Sequence, residues 1–312
     1  MKVKPFLFGA STYIMGSQFR LKGKGTGGTN TARYCYSVWL RHLLMAHRNH
    51  LLNGFDTVAE LGPGDSIGIG LAALISGAEK YYALDVVEFA NIQRNLAIFE
   101  ELALMFKRQE DIPGEDEFPN VKPKIDAYGF PHGILTHDRL KVALDDSRLE
   151  LIRKSIKREN GKDSKIEYIV PWYNSGILKK ESVDMIYSQA VLEHVDDLIN
   201  TYRVLSSWLK PKGFMSHSID FKCHGTAEEW NGHWTYSDFT WKIIRGRRPY
   251  LLNREPHSTH IRLLKEVGFN IVCDLKVNSY SEIGKKHLAK RFQYLLDDDL
   301  TTSGAFIIAV KE

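Results

Sequence analysis

The chain has 312 residues, 43% of them hydrophobic and 26% charged, which are the proportions of a soluble globular protein of one large domain or two small ones. No stretch approaches the roughly 18 apolar residues of a membrane span, and a net charge of +4 permits an anionic partner without arguing for nucleic acid. Three cysteines, Cys35, Cys223 and Cys273, lie far apart, match no zinc spacing and point to a reducing, cytoplasmic compartment.

The first residues, Met1-Lys-Val-Lys-Pro-Phe-Leu-Phe-Gly-Ala10, join basic side chains to a short apolar patch. Pro5, Gly9, Ser11 and Thr12 break that patch, which argues against a secretory leader. Lys22-Gly-Lys-Gly-Thr-Gly-Gly-Thr-Asn30 is a basic glycine-rich loop, either a plain lead-in or a lid that orders over a ligand. Tyr34, Val38, Leu40, Leu43, Leu44 and Leu51 recur at helical spacing, so a helix is expected over 31–50, stopped by Asn53-Gly54.

Next comes an apolar strand, 55–61, that runs into Gly62-Pro-Gly64, with a helix expected over 66–77. Gly62 and Gly64 lack a Cβ, so the chain can turn sharply and a ligand can lie against its backbone. The helix behind them offers free N–H groups. A second strand, Lys80-Tyr-Tyr-Ala-Leu-Asp85, ends in an acid about twenty residues on, the arrangement that sets a carboxylate on ribose hydroxyls in a nucleoside-binding unit. A dinucleotide fingerprint needs a third glycine where Ile67 stands, so the cofactor is of another kind.

Residues 88–107 read as a helix with one apolar stripe, 109–120 as an acidic, proline-bearing loop, and 137–160 as a charged helix. A plain doubly wound fold needs few residues here, so 108–163 is an insertion, placed to roof an acceptor pocket. Strands are expected over 165–170, 183–188, 213–219, 269–277 and 304–310, with helices over 196–209 and 257–268. Between the last two groups lies an unusual polar and aromatic stretch: His217, Asp220, His224, Trp230-Asn-Gly-His-Trp-Thr-Tyr236, Trp241 and Arg245-Gly-Arg-Arg248.

Three segments carry a family resemblance. Glu60-Leu-Gly-Pro-Gly-Asp65 resembles the first motif, E/D-x-G-x-G, of class I S-adenosylmethionine (SAM) methyltransferases. Ser182-Val-Asp-Met-Ile-Tyr-Ser-Gln-Ala-Val-Leu-Glu-His194 resembles their fourth-strand motif, and Leu209-Lys-Pro-Lys-Gly-Phe214 their turn before the fifth strand. The resemblance implies an α/β fold: a Rossmann-like, doubly wound sheet of seven strands with an antiparallel last strand, preceded by an N-terminal helical arm. It implies one domain over 1–312, with arm and helix in 1–54, the core in 55–107 and 164–312, and the insertion, as a lid, in 108–163. It also implies SAM as cofactor, held by Glu60, Gly62, Gly64, Asp65, Asp85, Val86, Trp172, Ser188 and Gln189. Tyr173 competes with Trp172 for stacking on adenine, and Arg33 or Tyr34 for a place beside the cofactor, with ordinary packing the alternative for each. The slot at Ser188-Gln-Ala-Val191 lacks the Asn/Asp-Pro-Pro-aromatic motif of adenine-N6 enzymes. His194, in the Leu-Glu-His-Val context, reads as a structural feature of a helix start.

Methyl transfer from SAM is an in-line displacement, so alignment carries much of the acceleration, and an alcohol acceptor gains from a general base. His233 and His224 follow the fifth strand, where the acceptor belongs, and Asp220 is placed to orient one of them or to bind a sugar hydroxyl. His233 ranks first because Trp234 flanks it. Asp220, His224 and His233 also resemble a facial metal set, but the carboxylates are too few, and no metal is expected. Trp230, Trp234 and Tyr236 offer flat faces to a sugar or aromatic acceptor, against the alternative that they pack on one another. The expected function is SAM-dependent methylation of a hydroxyl oxygen on a small-molecule or glycan acceptor. His233-Trp-Thr-Tyr236 and Asn253-Arg-Glu-Pro-His257 loosely resemble methyltransferases of bacterial polysaccharide clusters. An RNA methyltransferase, suggested by an isoelectric point near 8.7, and a non-catalytic SAM-binding scaffold are the alternatives. A homo-oligomer is left open.

Overall fold

The computed structural model describes residues 3–14, 28–52, 54–159, 161–248 and 250–312, so most of the glycine-rich loop lies outside the described residues. Helices α1 (Val3–Ile14) and α2 (Ala32–Arg48) precede strand β1 (Thr57–Leu61). Then follow α3 (Gly68–Ile75), β2 (Lys80–Leu84), α4 (Ile92–Arg108), α5 (His137–Ala143), α6 (Asp146–Ile156), β3 (Ile166–Ile169) and β4 (Val183–Gln189). The chain ends with α7 (Leu198–Trp208), β5 (Leu209–Asp220), α8 (Asp238–Arg245), α9 (His257–Val267), β6 (Phe269–Asn278), α10 (Asp297–Thr301) and β7 (Thr302–Lys311).

The seven strands form one sheet in the order β3-β2-β1-β4-β5-β7-β6, parallel except for β7, which runs antiparallel to both neighbours. Strand order therefore reverses between β1 and β4, and the carboxyl ends of those strands frame the crevice where such sheets bind ligands. Side chains alternate across the sheet. Val58, Met185, Tyr187 and Phe214 face a core shared with α2, α3 and α4, whereas Ala59, Leu61, Ile186 and Met215 face α7 and α9. The Rossmann-like doubly wound α/β fold implied by the sequence is the fold observed.

Differences from expectation have local causes. The helix expected over 137–160 is two helices, because the Asp145 carboxylate accepts from the backbone N–H groups of Ser147 and Arg148 and starts α6 afresh. The Pro211-Lys-Gly turn sits inside β5 as an irregularity rather than before it. The N-terminal patch is helical despite Pro5 and Gly9. Pro5 falls in the first turn, where its missing N–H is harmless. Gly9 lies so close to the carbonyls of Ile243 and Ile244 that a side chain there would collide with α8.

The insertion is bound into the fold by α2. Tyr36 donates to the Glu110 carbonyl and Ser37 to that of Pro113, while Arg33 pairs with Glu117. The buried Arg41 donates to the carbonyls of Val121 and Pro123 at 3.0 and 2.8 Å. Val121, Ile125, Phe130, Leu135 and Leu140 of the same segment join the α2–α4 core.

Candidate active site

The glycine turn leaves β1 with Gly62 and Gly64 at φ 63° and 73°, a region in which other residues are strained. A Cβ on Gly62 would stand 2.8 Å from the Val191 side chain, so the fold itself demands glycine there. Asp85, at the end of β2, is aimed at the turn: its carboxylate accepts from the Gly64 N–H at 3.4 Å and the Val86 N–H at 2.7 Å. Burial raises its pKa, against those bonds. A bare backbone turn facing a buried, oriented carboxylate fits a ribose diol, with Val86 at its side. Asp65 is also mostly buried, and its carbonyl accepts from Arg94. Thr29, at the start of the described chain after the arm, receives the Ser66 hydroxyl bond and so docks onto the turn.

Glu60 takes a different place from the rest of its motif. Its carboxyl lies within the sheet layer, accepting from Tyr81 at 2.5 Å and Tyr187 at 3.3 Å. Burial pushes it up to about 8, against the pull of both tyrosines. The Tyr81 ring reaches it only because Gly70 carries no side chain: a Cβ there would lie 2.0 Å from the ring. Glu60 thus anchors the strand beneath the turn.

Trp172 is 5% exposed and packs edge-on against Trp208, whereas Tyr173 is exposed and meets the Tyr250 hydroxyl at 3.2 Å. Ser188, expected to face the cofactor, is fully buried and bonds the His217 ring at 2.8 Å. Gln189, the last residue of β4, donates to the Lys122 carbonyl at 3.5 Å, and its own Oε1 is buried without a partner. Next to it Ala190 holds a positive φ of 55° while bonding to the Ser218 carbonyl.

Beyond β5 the chain forms a cap. His224 holds φ 46°, uncommon outside glycine, and its Nε2 lies 3.3 Å from Asp220 Oδ2. That leaves Nδ1 for another partner. Burial is the largest influence on the Asp220 carboxyl and would raise it; the His224 bond, the Lys222 N–H and the charges of Lys222 and His224 together hold it low. His194 joins the pair, its ring 5.2 Å from that of His224. Burial first, then His224, lowers it to about 4. Glu193 is 2% exposed and is raised well above the carboxylate range by burial and then by Asp220, against weak pulls from the backbone N–H groups of Glu193 and Asp220.

His233 lies inside the cap, 1% exposed, against Trp234, and burial lowers it to about 3. Trp234 and Tyr236 are buried too, so these flat faces serve the cap's interior rather than an open pocket. Arg254 ties the cap together. Its guanidinium lies between the rings of Trp241 and Phe292, donates to the Tyr236 and His233 carbonyls and pairs with Asp238. The basic run is likewise engaged: Arg245 pairs with Asp196, while Arg247 and Arg248 lie over Tyr13 and Phe8 of α1. Among the described residues no group of three or more His, Cys, Asp or Glu is placed to hold a metal ion.

The structure therefore brings together Gly62, Gly64, Asp85 and Val86 at one end, and Gln189, Asp220 and His224 at the other. Glu60, Ser188, Trp172 and His233 are held in packing. Lys122 is the residue that sequence reasoning passed over, and no local pattern marks it. Glu193, His194 and Arg254 stand inside quoted motifs, where His194 was read as structural and the other two were given no role. A cavity of about 530 Å³ lies elsewhere, behind the β2–α4 connection, lined by Asn91, Asn95, Arg158 and Tyr168 among others, and contains none of the candidate site residues.

A family model described as a methyltransferase domain matches residues 133–216, from α5 through β3, β4 and α7 into β5, without reaching the glycine turn. No curated protein matches the chain. Solved structures align over most of it at low identity. An S-adenosylmethionine-dependent methyltransferase from Mesorhizobium loti is 14% identical with TM-score 0.42, covering 85% of this chain and 96% of its own. One from Methanosarcina mazei is 14% identical with TM-score 0.44 and the same coverage. Phosphoethanolamine N-methyltransferase 2 from Haemonchus contortus, in complex with S-adenosyl-L-methionine, is 16% identical with TM-score 0.44, covering 97% of this chain and 56% of its own.

Proposed function

We propose that this chain is a class I SAM-dependent methyltransferase that transfers a methyl group to a hydroxyl oxygen of a small-molecule or glycan acceptor, with His224 as general base and Asp220 as its orienting partner. The single observation that carries the reading is the His224–Asp220 pair, 3.3 Å apart at the carboxyl end of β5, with Nδ1 of His224 uncommitted. SAM, when bound, supplies an electrophilic methyl group on a sulfonium centre. Asp85 and Val86 would hold its ribose, and the Gly62–Gly64 backbone would lie along its middle. Asp65 stands beside that turn, and Trp172 or Tyr173 beside the β3 end where adenine belongs.

Asp220 accepts from Nε2–H and so keeps Nδ1 as the unprotonated acceptor nitrogen. The acceptor hydroxyl gives its proton to that Nδ1 as its oxygen takes the methyl group, and the imidazolium formed is stabilised by the Asp220 carboxylate. His233 supports this arrangement from within the cap. The organisation proposed is one domain, with 55–107 and 164–312 as catalytic core and 108–163 as an insertion beside the acceptor; the Gln189–Lys122 contact supports that placement. A screen of hydroxylated acceptors with labelled SAM tests the reading: label transfer to oxygen that His224→Ala abolishes supports it. Transfer to nitrogen or carbon, or transfer indifferent to His224, would falsify it.

A further inference from the structure

Lys122 is held with unusual care for a lysine in a loop. Arg41, itself fully buried, donates to the carbonyls on both sides of it, those of Val121 and Pro123. The carbonyl of Lys122 accepts from Gln189, at the tip of β4. Gln189 stands in register with Ser218 of β5, two residues before Asp220. On that neighbouring strand end Lys222 donates its backbone N–H to Asp220 Oδ1 at 3.0 Å. Two lysines from distant parts of the chain thus converge on the ends of β4 and β5, beside the His224–Asp220 pair.

Neither has an ion-pair partner among the described residues. The nearby Glu115 is engaged by Lys124 and by the Tyr128 hydroxyl. Lys122 is half-buried, and burial lowers its pKa, followed by Lys124; Glu115 opposes this, and Lys222 and Arg41 lower it further. Positive charge is therefore gathered at this spot, offset only in part by Glu115 near Lys122 and by Asp220 near Lys222, on a backbone fixed in advance. Two ammonium groups held there without a direct ion pair attract a further compact anion.

We infer that Lys122 and Lys222 form an oxyanion subsite for the acceptor, so that the molecule methylated carries a carboxylate or phosphate beside its reacting hydroxyl. The inference rests on the methyl-transfer reading above and narrows its acceptor. A lysine ammonium meets either oxyanion as a point charge, so the shared chemistry is a compact anion rather than one of the two. Holding that anion would fix the acceptor relative to Nδ1 of His224, and alignment is what this reaction most requires.

The test is calorimetric titration of the protein loaded with S-adenosylhomocysteine, using inorganic phosphate and glucuronate in separate arms and glucose as the neutral control. At least one oxyanion should bind and glucose should not; which anion binds identifies the group. Lys122→Gln and Lys222→Gln should each weaken that binding about tenfold or more, as expected for a lost charge-assisted bond, and Lys122→Arg should restore most of it. S-adenosylhomocysteine affinity should be the same in all variants. Binding of neither oxyanion, equal binding of glucose, or undiminished binding in the double glutamine variant overturns the subsite. A wild-type protein that does not bind S-adenosylhomocysteine overturns the reading beneath it instead.

Discussion

The two ends of the proposed site are built by different means. Around Gly62 to Val86 the candidate groups are mostly backbone, placed by a strand, a turn and the next strand, and one carboxylate completes them. Around Gln189 to His224 they are side chains whose positions depend on partners far along the chain. Arg41 sets Lys122, Asn253 clamps the turn that carries Glu193 and His194, and Arg254 holds the carbonyl of His233. The first kind of site is written in local spacing. The second is written in packing between elements, and the two should fail differently when altered.

The largest effect is expected at Gly64. Valine there must adopt φ 73° and places a branched side chain where backbone N–H meets Asp85. S-adenosylhomocysteine binding should vanish in calorimetry, with a fall in melting temperature no larger than the strained φ explains. Gly62→Val is a different experiment, because its side chain also collides with Val191, so it should lose more stability. Normal ligand binding by Gly64→Val would remove the glycine turn from the site.

Next comes the acceptor end. His224→Ala should lower turnover about 10²–10⁴-fold, the usual worth of a general base, with melting temperature and S-adenosylhomocysteine affinity intact. Asp220→Asn should lower turnover less and alter the pH–rate profile, since the carboxylate acts through His224. His233→Ala should show the reverse pattern, a lower melting temperature with turnover per folded molecule largely kept. If His233→Ala is the variant that loses turnover alone, the roles of the two histidines are exchanged.

These contrasts bear on what the sequence can reveal. Gly62, Gly64 and Asp85 were legible because glycine at positive φ and an acid at a strand end are read from spacing. The seven-stranded sheet with its antiparallel last strand followed from the motifs through the family they resemble. Glu60 shows the limit of such reading: its motif was legible, but whether its carboxyl faces ligand or core depends on Tyr81 and Tyr187, from two other strands. His233 shows the same limit: flanking Trp234 suggested a shielded base, and whether it shields a base or only packs depends on Trp230, which joins Trp234 in the cap's own core. A helical arm was expected, but the place of α1 against α8 was illegible because it depends on a carbonyl approach at Gly9 that no periodicity encodes.

A smaller effect is expected from Asp85→Ala. Losing a buried charge-assisted contact typically costs about 1–3 kcal/mol, or roughly ten- to hundredfold in affinity for S-adenosylhomocysteine. Unchanged affinity in a calorimetric titration would take Asp85 out of the cofactor end and leave only the turn.

The smallest effect per residue, and the sharpest contrast between the two ends, is in the pH dependence of stability. The acceptor end and its flanks bury His42, His217, His233 and His260, lowered by burial from 6.5 to about 4 for the first and about 3 for the others. Their folded pKa values lie below the unfolded one, so the unfolded chain binds protons that the native state refuses. Their contribution is complete above pH 6.5 and is lost as pH falls toward about 4. Glu60, beneath the cofactor end, has the opposite sign: raised from 4.5 to about 8, it contributes fully below pH 4.5 and progressively less as pH rises through 8. Each group changes stability by up to about 1.4 kcal/mol per pH unit within its window. Urea unfolding from pH 5 to pH 9 should therefore give a stability maximum near neutrality. Glu60→Gln should remove the decline between neutrality and pH 8 and steepen the acidic limb, because its window runs from 4.5 to about 8, whereas His260→Gln should flatten the acidic limb only. Hydrogen exchange should open α9 and the cap first on acidification, and β1 and β2 first in alkali. A single variant that flattens both sides would mean that the two ends unfold as one unit and that the contrast between them is confined to chemistry.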